Sequence, residues 1–147
     1  MRNYRIILSA VLLLVALGVL TPQFAQNAPI GRETPDQERR FHTLGLLRTI
    51  NTAEVPELSK YGSYASWPIL LAHQTEYLNE WLTRYYPHES NLHFGDMPEI
   101  LPGYSLRLNV HADGQEYDVR LQDVTDKQGY AAFSDENGII WQGEPLH

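Results

Sequence analysis

The chain has 147 residues, 11 of them basic and 18 acidic, and no cysteine. That length is one domain's worth, the acidic balance argues against nucleic acid or anionic lipid as partners found through general charge, and the lack of thiols excludes disulfides. Stability must come from an apolar core, which a domain of this size can build.

Arg2 and Arg5 precede an apolar run at residues 6–20 (IILSAVLLLVALGVL), which Thr21, Pro22 and Gln23 break. A positive n-region, an apolar h-region and a polar c-region form the pattern of a secretory signal peptide. The run of 15 residues is shorter than the ~17–25 of a spanning helix. The expected organisation is a signal peptide at residues 1–25, a linker at 26–33 (QNAPIGRE) and a single domain at 34–147. Export places that domain in the periplasm or outside the cell. The alternative is an uncleaved inner-membrane anchor, and membrane contact is expected only if residues 6–20 are retained. Lys60 and Lys127 are the only lysines, so no basic patch is available.

Thr34-Pro35-Asp36-Gln37 opens a helix: Thr34 caps, Pro35 sits where its missing N–H is harmless, and Gln37 completes a capping box. Phe41, Leu44, Leu47 and Ile50 then recur at three-residue steps, widened by Leu46 and Ala53, which predicts a helix buried on one side. Gly45 inside it costs about 1 kcal/mol relative to Ala, unless it admits another backbone. Pro56 predicts an end or kink near Val55. Arg48, Asn51, Thr52 and Glu54 are left for solvent or a partner. After a turn over residues 61–66, Ser66 is placed to cap a second helix with Leu70, Leu71, Tyr77, Leu78, Trp81, Leu82 and Tyr85 on one face, stopped by Pro87. Residues 87–103 read as irregular.

Tyr104, Leu106, Leu108 and Val110 alternate with polar residues, a half-buried strand. A turn at Asp113-Gly114 pairs Val110 with Tyr117, Leu108 with Val119 and Leu106 with Leu121, so the apolar faces coincide. His111 faces Glu116 across this hairpin. Two further strands are expected around residues 130–133 and 139–141. The class is α+β: an N-terminal amphipathic helix and a second helix packed on a three- to four-stranded antiparallel meander.

Three strings add a resemblance. Gly45 followed by Leu46, Leu47 and then Arg48-Thr49-Ile50-Asn51-Thr52-Ala53-Glu54 is similar to the long helix of bacterial type IV pilin-like proteins and type II secretion pseudopilins. Gly103-Tyr104-Ser105-Leu106 resembles the start of their first strand. Phe133-Ser134-Asp135-Glu136-Asn137-Gly138-Ile139-Ile140 resembles the end of their sheet. The Phe-Thr-Leu-Ile-Glu-type segment that opens the family's hydrophobic helix is not in this sequence. What the resemblance implies is therefore the globular head alone, acting on other cell-envelope proteins.

Candidates for chemistry are sparse. His88, Glu89, His93 and Asp96 are proper metal ligands, but four residues between the histidines do not form a helical H-E-x-x-H site. The runs Asp123-Val124-Thr125-Asp126 and Asp135-Glu136-Asn137-Gly138 suit calcium in chemistry and turns in composition, and they read as turns. No nucleophile elbow is present. No catalytic, cofactor-binding or metal-binding residue is assigned. Aromatic residues crowd positions 61–86, where Tyr64 and Tyr86 lie off the main stripe and are the candidate interaction surface. The expected function is that of an exported, non-catalytic protein acting through protein–protein contacts. The alternative is a secreted ligand-binding protein or metal-dependent enzyme using the aromatic second helix and the loop from His88 to Asp96.

Overall fold

A computed structural model describes residues 34–143, within the second of the two units, Met1–Arg32 and Glu33–His147, into which the chain divides. The expected signal peptide and linker lie outside the described residues. Three helices, α1 (Pro35–Tyr61), α2 (Trp67–His73) and α3 (Thr75–Tyr85), precede five strands: β1 (Glu99–Leu101), β2 (Tyr104–Val110), β3 (Tyr117–Asp123), β4 (Ala131–Asp135) and β5 (Trp141–Gly143). The strands form one antiparallel sheet in chain order. The class is α+β, with five strands rather than three to four.

α1 starts as its sequence dictates. The Thr34 hydroxyl accepts from the Gln37 amide at 3.3 Å, and the Gln37 side chain accepts from the Thr34 amide at 2.9 Å. The helix then runs through Pro56 to Tyr61 instead of ending near Val55. Pro56 lies on the exposed side, so the carbonyl that it leaves without an intrahelical partner belongs to the solvent face. Gly62, at φ 76°, closes the helix by donating its amide to the Leu58 carbonyl. The buried stripe is rotated from the expected one. It runs through Thr43, Leu46, Leu47, Ile50, Ala53, Glu54 and Glu57, whereas Phe41 remains 52% exposed. Glu54 is thus fully buried, not left for solvent.

The predicted second helix is two pieces. Glu57, buried on α1, accepts from Gln74 Nε2 at 2.7 Å and contacts His73 Nδ1 at 2.9 Å. Both ties fall at the junction, where Gln74 leaves helical geometry at φ −115°. Ser66 sits at the N-cap but makes no side-chain capping bond. α2 and α3 pack on α1, and α1 in turn lies on β3 and β4. The second helical segment covers α1 and shares one core with the strand residues. Gly45 makes this possible: a Cβ there would lie 3.2 Å from Trp81 Nε1 and 3.4 Å from the Tyr85 hydroxyl. The close approach is by aromatic side chains, not by backbone.

The β2–β3 register is the expected one, with Val110↔Tyr117, Leu108↔Val119 and Leu106↔Leu121. His111 Nδ1 meets Glu116 Oε2 at 3.1 Å. β1, inside the stretch read as irregular, pairs with β2 through a bulge. β5 begins at Trp141, two residues later than expected.

The first turns of α1 are bolted to the far end of β3. Arg39 donates from Nε and a terminal nitrogen to the two Asp123 carboxylate oxygens, at 2.6 and 2.7 Å. The Asp123 side chain is 1% exposed. Burial alone would raise its pKa, but Arg39 and the Thr125 hydroxyl and amide outweigh burial and hold it below the ordinary carboxylate range. Gly103, at φ 84°, passes so near that a Cβ would lie 2.9 Å from the Arg39 guanidinium, which also sits over the Tyr104 ring at 5.3 Å. Arg39→Ala leaves a buried carboxylate without its cation and is expected to destabilise the domain by ~3 kcal/mol in urea unfolding. A depressed pKa gives stability present above the unfolded value and lost as pH falls through the folded one. The deficit of the variant should therefore shrink in acid, below roughly pH 4.

Candidate functional site

The string Arg48 to Glu54 divides its residues between two tasks. Ile50 and Ala53 are core. The Thr49 and Thr52 hydroxyls donate back to the Gly45 and Arg48 carbonyls, each at 2.9 Å. Asn51 reaches the sheet: its Nδ2 donates to Ser134 Oγ at 2.7 Å, and its Oδ1 accepts from the Tyr117 hydroxyl at 3.1 Å. Ser134 Oγ donates onward to the Ile139 carbonyl at 3.0 Å. Burial pushes the Tyr117 phenol well above its ordinary range, with nearby Glu54 adding to the rise, so Tyr117 is a fixed proton donor in this chain. Helix, central strand and the β4–β5 turn are thereby joined through one amide.

That turn is self-supporting. Asp135 Oδ1 accepts from the Asn137 amide at 3.0 Å, the Asp135 carbonyl accepts from Gly138 at 2.9 Å, and Gly138 adopts φ 70°. Between the turn and α1 lies a groove of roughly 430 Å³, lined by Arg48, Asn51, Thr52 and Val55 of α1, Tyr64, Tyr117, and Glu136, Asn137 and Gly138. Val55 is 63% exposed. Tyr64 stands edge-on to Tyr117 with ring centroids 4.6 Å apart. Arg48 makes no hydrogen bond or ion pair among the described residues.

The floor of the Tyr64 loop is a buried acid. Glu54 Oε2 accepts from the Ala65 amide at 2.9 Å, while Oε1 is buried with no partner among the described residues. Burial pushes this carboxyl up to about 7; the Ala65 amide pulls against the rise and Glu57 adds to it.

Of the two tyrosines singled out in the sequence, Tyr64 lines this groove and Tyr86 does not. Tyr86 donates to the Tyr104 hydroxyl at 3.4 Å and packs beside His42 and Trp81. It shares a separate hollow of about 270 Å³ with Leu92 and His93. His88 and Asp96 are exposed elsewhere on the loop. Among the described residues no three His, Cys, Asp or Glu side chains come together as a group that could hold a metal. The acidic turns are structural: Asp123 and Asp126 receive Arg39 and Arg40, and Asp135 closes its own turn. From the sequence Arg48 is a helix residue left for solvent or a partner, and Tyr117 and Asn137 are a strand and a turn residue. Their convergence depends on a contact between α1 and β4 that no local pattern encodes.

No protein-family model, curated protein or solved structure matches the chain, so the likeness to pilin-like heads stands on the three strings alone. No helix among the described residues is long and apolar enough to cross a membrane.

The raised Glu54 pKa has a sign that can be measured. A carboxyl whose folded pKa exceeds its unfolded value stabilises fully below the unfolded pKa, and that contribution is lost as pH rises through the folded one. From about pH 5 to about pH 8 the wild type should therefore lose on the order of 2–3 kcal/mol relative to Glu54→Gln, followed by urea unfolding. A difference that stays constant over that range would mean that Glu54 does not ionise in a buried site.

Proposed function

We propose that the chain is an exported, non-catalytic cell-envelope protein whose described domain is a pilin-like head acting through contacts with other proteins. The observation that carries this reading is the Asn51 bridge. It joins the helix string that resembles pilin-like proteins to Ser134 of the C-terminal string, while Arg39 of the same helix covers Gly103 and Tyr104 of the middle string. Three separate likenesses in sequence thus belong to one packed unit, as they would in a head of that family. Assembly through the family's hydrophobic stem is not part of the reading.

The groove beside Asn51 supports a binding role. Its lining combines an unengaged guanidinium, exposed Val55, two tyrosines and a glutamate, the mixture of aromatic and charged groups found where proteins recognise one another. Arg48 at one part of the lining and Glu136 at another match a polypeptide, which carries both signs of charge.

Two measurements test the proposal. Mass spectrometry of the protein recovered from envelope and extracellular fractions is expected to give a mature start near Asn27. Recovery of the chain from Met1 in the cytosol would remove the export claim. A photo-crosslinking residue at Thr52 is expected to give a discrete envelope-protein adduct that Arg48→Glu abolishes and that the fold, monitored by circular dichroism, survives. An adduct insensitive to Arg48 would remove the groove from the binding role.

A further inference from the structure

The sheet face turned away from α1 has an arrangement that neither the fold nor the groove uses. Register places Arg107 opposite Arg120, Arg120 opposite Phe133, and Phe133 opposite Trp141. One row across four strands therefore reads Arg, Arg, Phe, Trp. Phe133 is 37% exposed and Trp141 49%. Like charges directly opposed on neighbouring strands are destabilising, and among the described residues no carboxylate forms an ion pair with either arginine. Arg107 is exposed with no partner among the described residues. Arg120 leans over Phe133, with its guanidinium carbon 5.5 Å from the ring centre, and donates to Gln122 at 2.9 Å. Its Nε is buried and unpartnered among the described residues. A hollow of about 80 Å³ is lined by the two arginines together with Pro98, Ser105, Leu106 and Gln122. That is room for a carboxylate, given that a water molecule occupies ~30 Å³.

We propose that this face docks an acidic segment of a partner protein, with one carboxylate seated between Arg107 and Arg120 and an adjoining apolar side chain laid on Phe133 and Trp141. The anion relieves the arginine–arginine opposition and accepts charge-assisted hydrogen bonds from the exposed Arg107 guanidinium. The next row on the same face selects a polypeptide over other anions. Asn109, Asp118 and Asp135 are paired there, about 7 Å along the strands from the arginines. A uniformly anionic membrane or a polyuronate would meet two aspartates beside the cations, whereas a peptide brings a carboxylate to one row and amides or a base to the other.

The test is a selection of phage-displayed random peptides on the full chain, with the binders then synthesised and titrated by the fluorescence of Trp141, the most exposed tryptophan. Enriched peptides are expected to carry Asp or Glu next to an aromatic or large aliphatic residue and to weaken as salt is added. They should bind Arg107→Glu at least about tenfold more weakly and Trp141→Ala several-fold more weakly, while Glu80→Gln on α3 leaves them unchanged. Arg107→Glu lies at an exposed position and places an opposite charge beside Arg120, so its fold, checked by circular dichroism, should hold. Failure to enrich any peptide, enrichment of peptides without an acid, or retention of affinity by Arg107→Glu would overturn the proposal. So would binding of phosphatidylglycerol vesicles or polygalacturonate with the same dependence on Arg107, because that would identify a different class of anion as the occupant.

Discussion

The domain depends on a helix whose buried side is partly polar. Along α1, Thr43, Glu54 and Glu57 are buried, Asn51 is half-buried and Arg39 reaches a buried aspartate. A buried polar group without a partner costs on the order of 1–3 kcal/mol, more when charged. Each of these side chains therefore demands a partner at a set distance and direction. Thr43 finds its partner in its own helix, the Arg39 carbonyl; the others find theirs in Asp123 at the end of β3, Ser134 and Tyr117 in the middle of the sheet, Ala65 in the following loop, and the α2–α3 junction. Apolar burial by Leu46, Leu47 and Ile50 drives α1 onto the sheet, but it is non-directional. The polar ties choose where along the sheet the helix stops and how it is turned.

The two candidate surfaces follow from what these ties leave over. With Asn51 drawn down to Ser134, the neighbouring Arg48, Thr52 and Val55 stand at the rim of a groove opposite the β4–β5 turn, and Tyr64 closes it from the loop that Glu54 holds. On the other side, the strand alternation that puts Leu121 and Ala132 under the helix necessarily puts Arg120 and Phe133 outward. A small domain thus has two polar surfaces of different character, one concave beside the helix and one flat across the strands. Both combine aromatic rings with a guanidinium group that has no hydrogen-bond partner among the described residues.

What could be read from the sequence was whatever is encoded locally. Thr34 to Gln37 spells its own capping box, and Asp113-Gly114 together with the alternation on either side sets the β2–β3 register. What could not be read required knowledge of a distant partner. Pro56 signals a helix end unless its side of the helix is known to face solvent. Glu54 and Glu57 look like surface acids until Ala65, His73 and Gln74 are brought to them. The stretch around β1 holds prolines and glycines that suggest a loop, and only the edge of β2 turns Glu99–Leu101 into a strand. At the candidate site, Tyr64 was recognisable as an aromatic residue off the helical stripe. Arg48 and Asn137, which share its groove, were not, because they converge only after β4 docks on α1. Tyr86 carried the same local signal as Tyr64 and went to the Trp81–Tyr104 side instead.

The central claim is that the bond between α1 and β4 through Asn51 assembles the domain rather than decorating it. A double-mutant cycle on Asn51→Ala and Ser134→Ala, read by urea unfolding, tests this most directly. Coupling of about 1–2 kcal/mol between the two positions is the expected result, well outside the ~0.3–0.5 kcal/mol within which independent sites add. Additive losses within that margin would contradict the account, because the Asn51–Ser134 bond would then contribute nothing to holding α1 on β4.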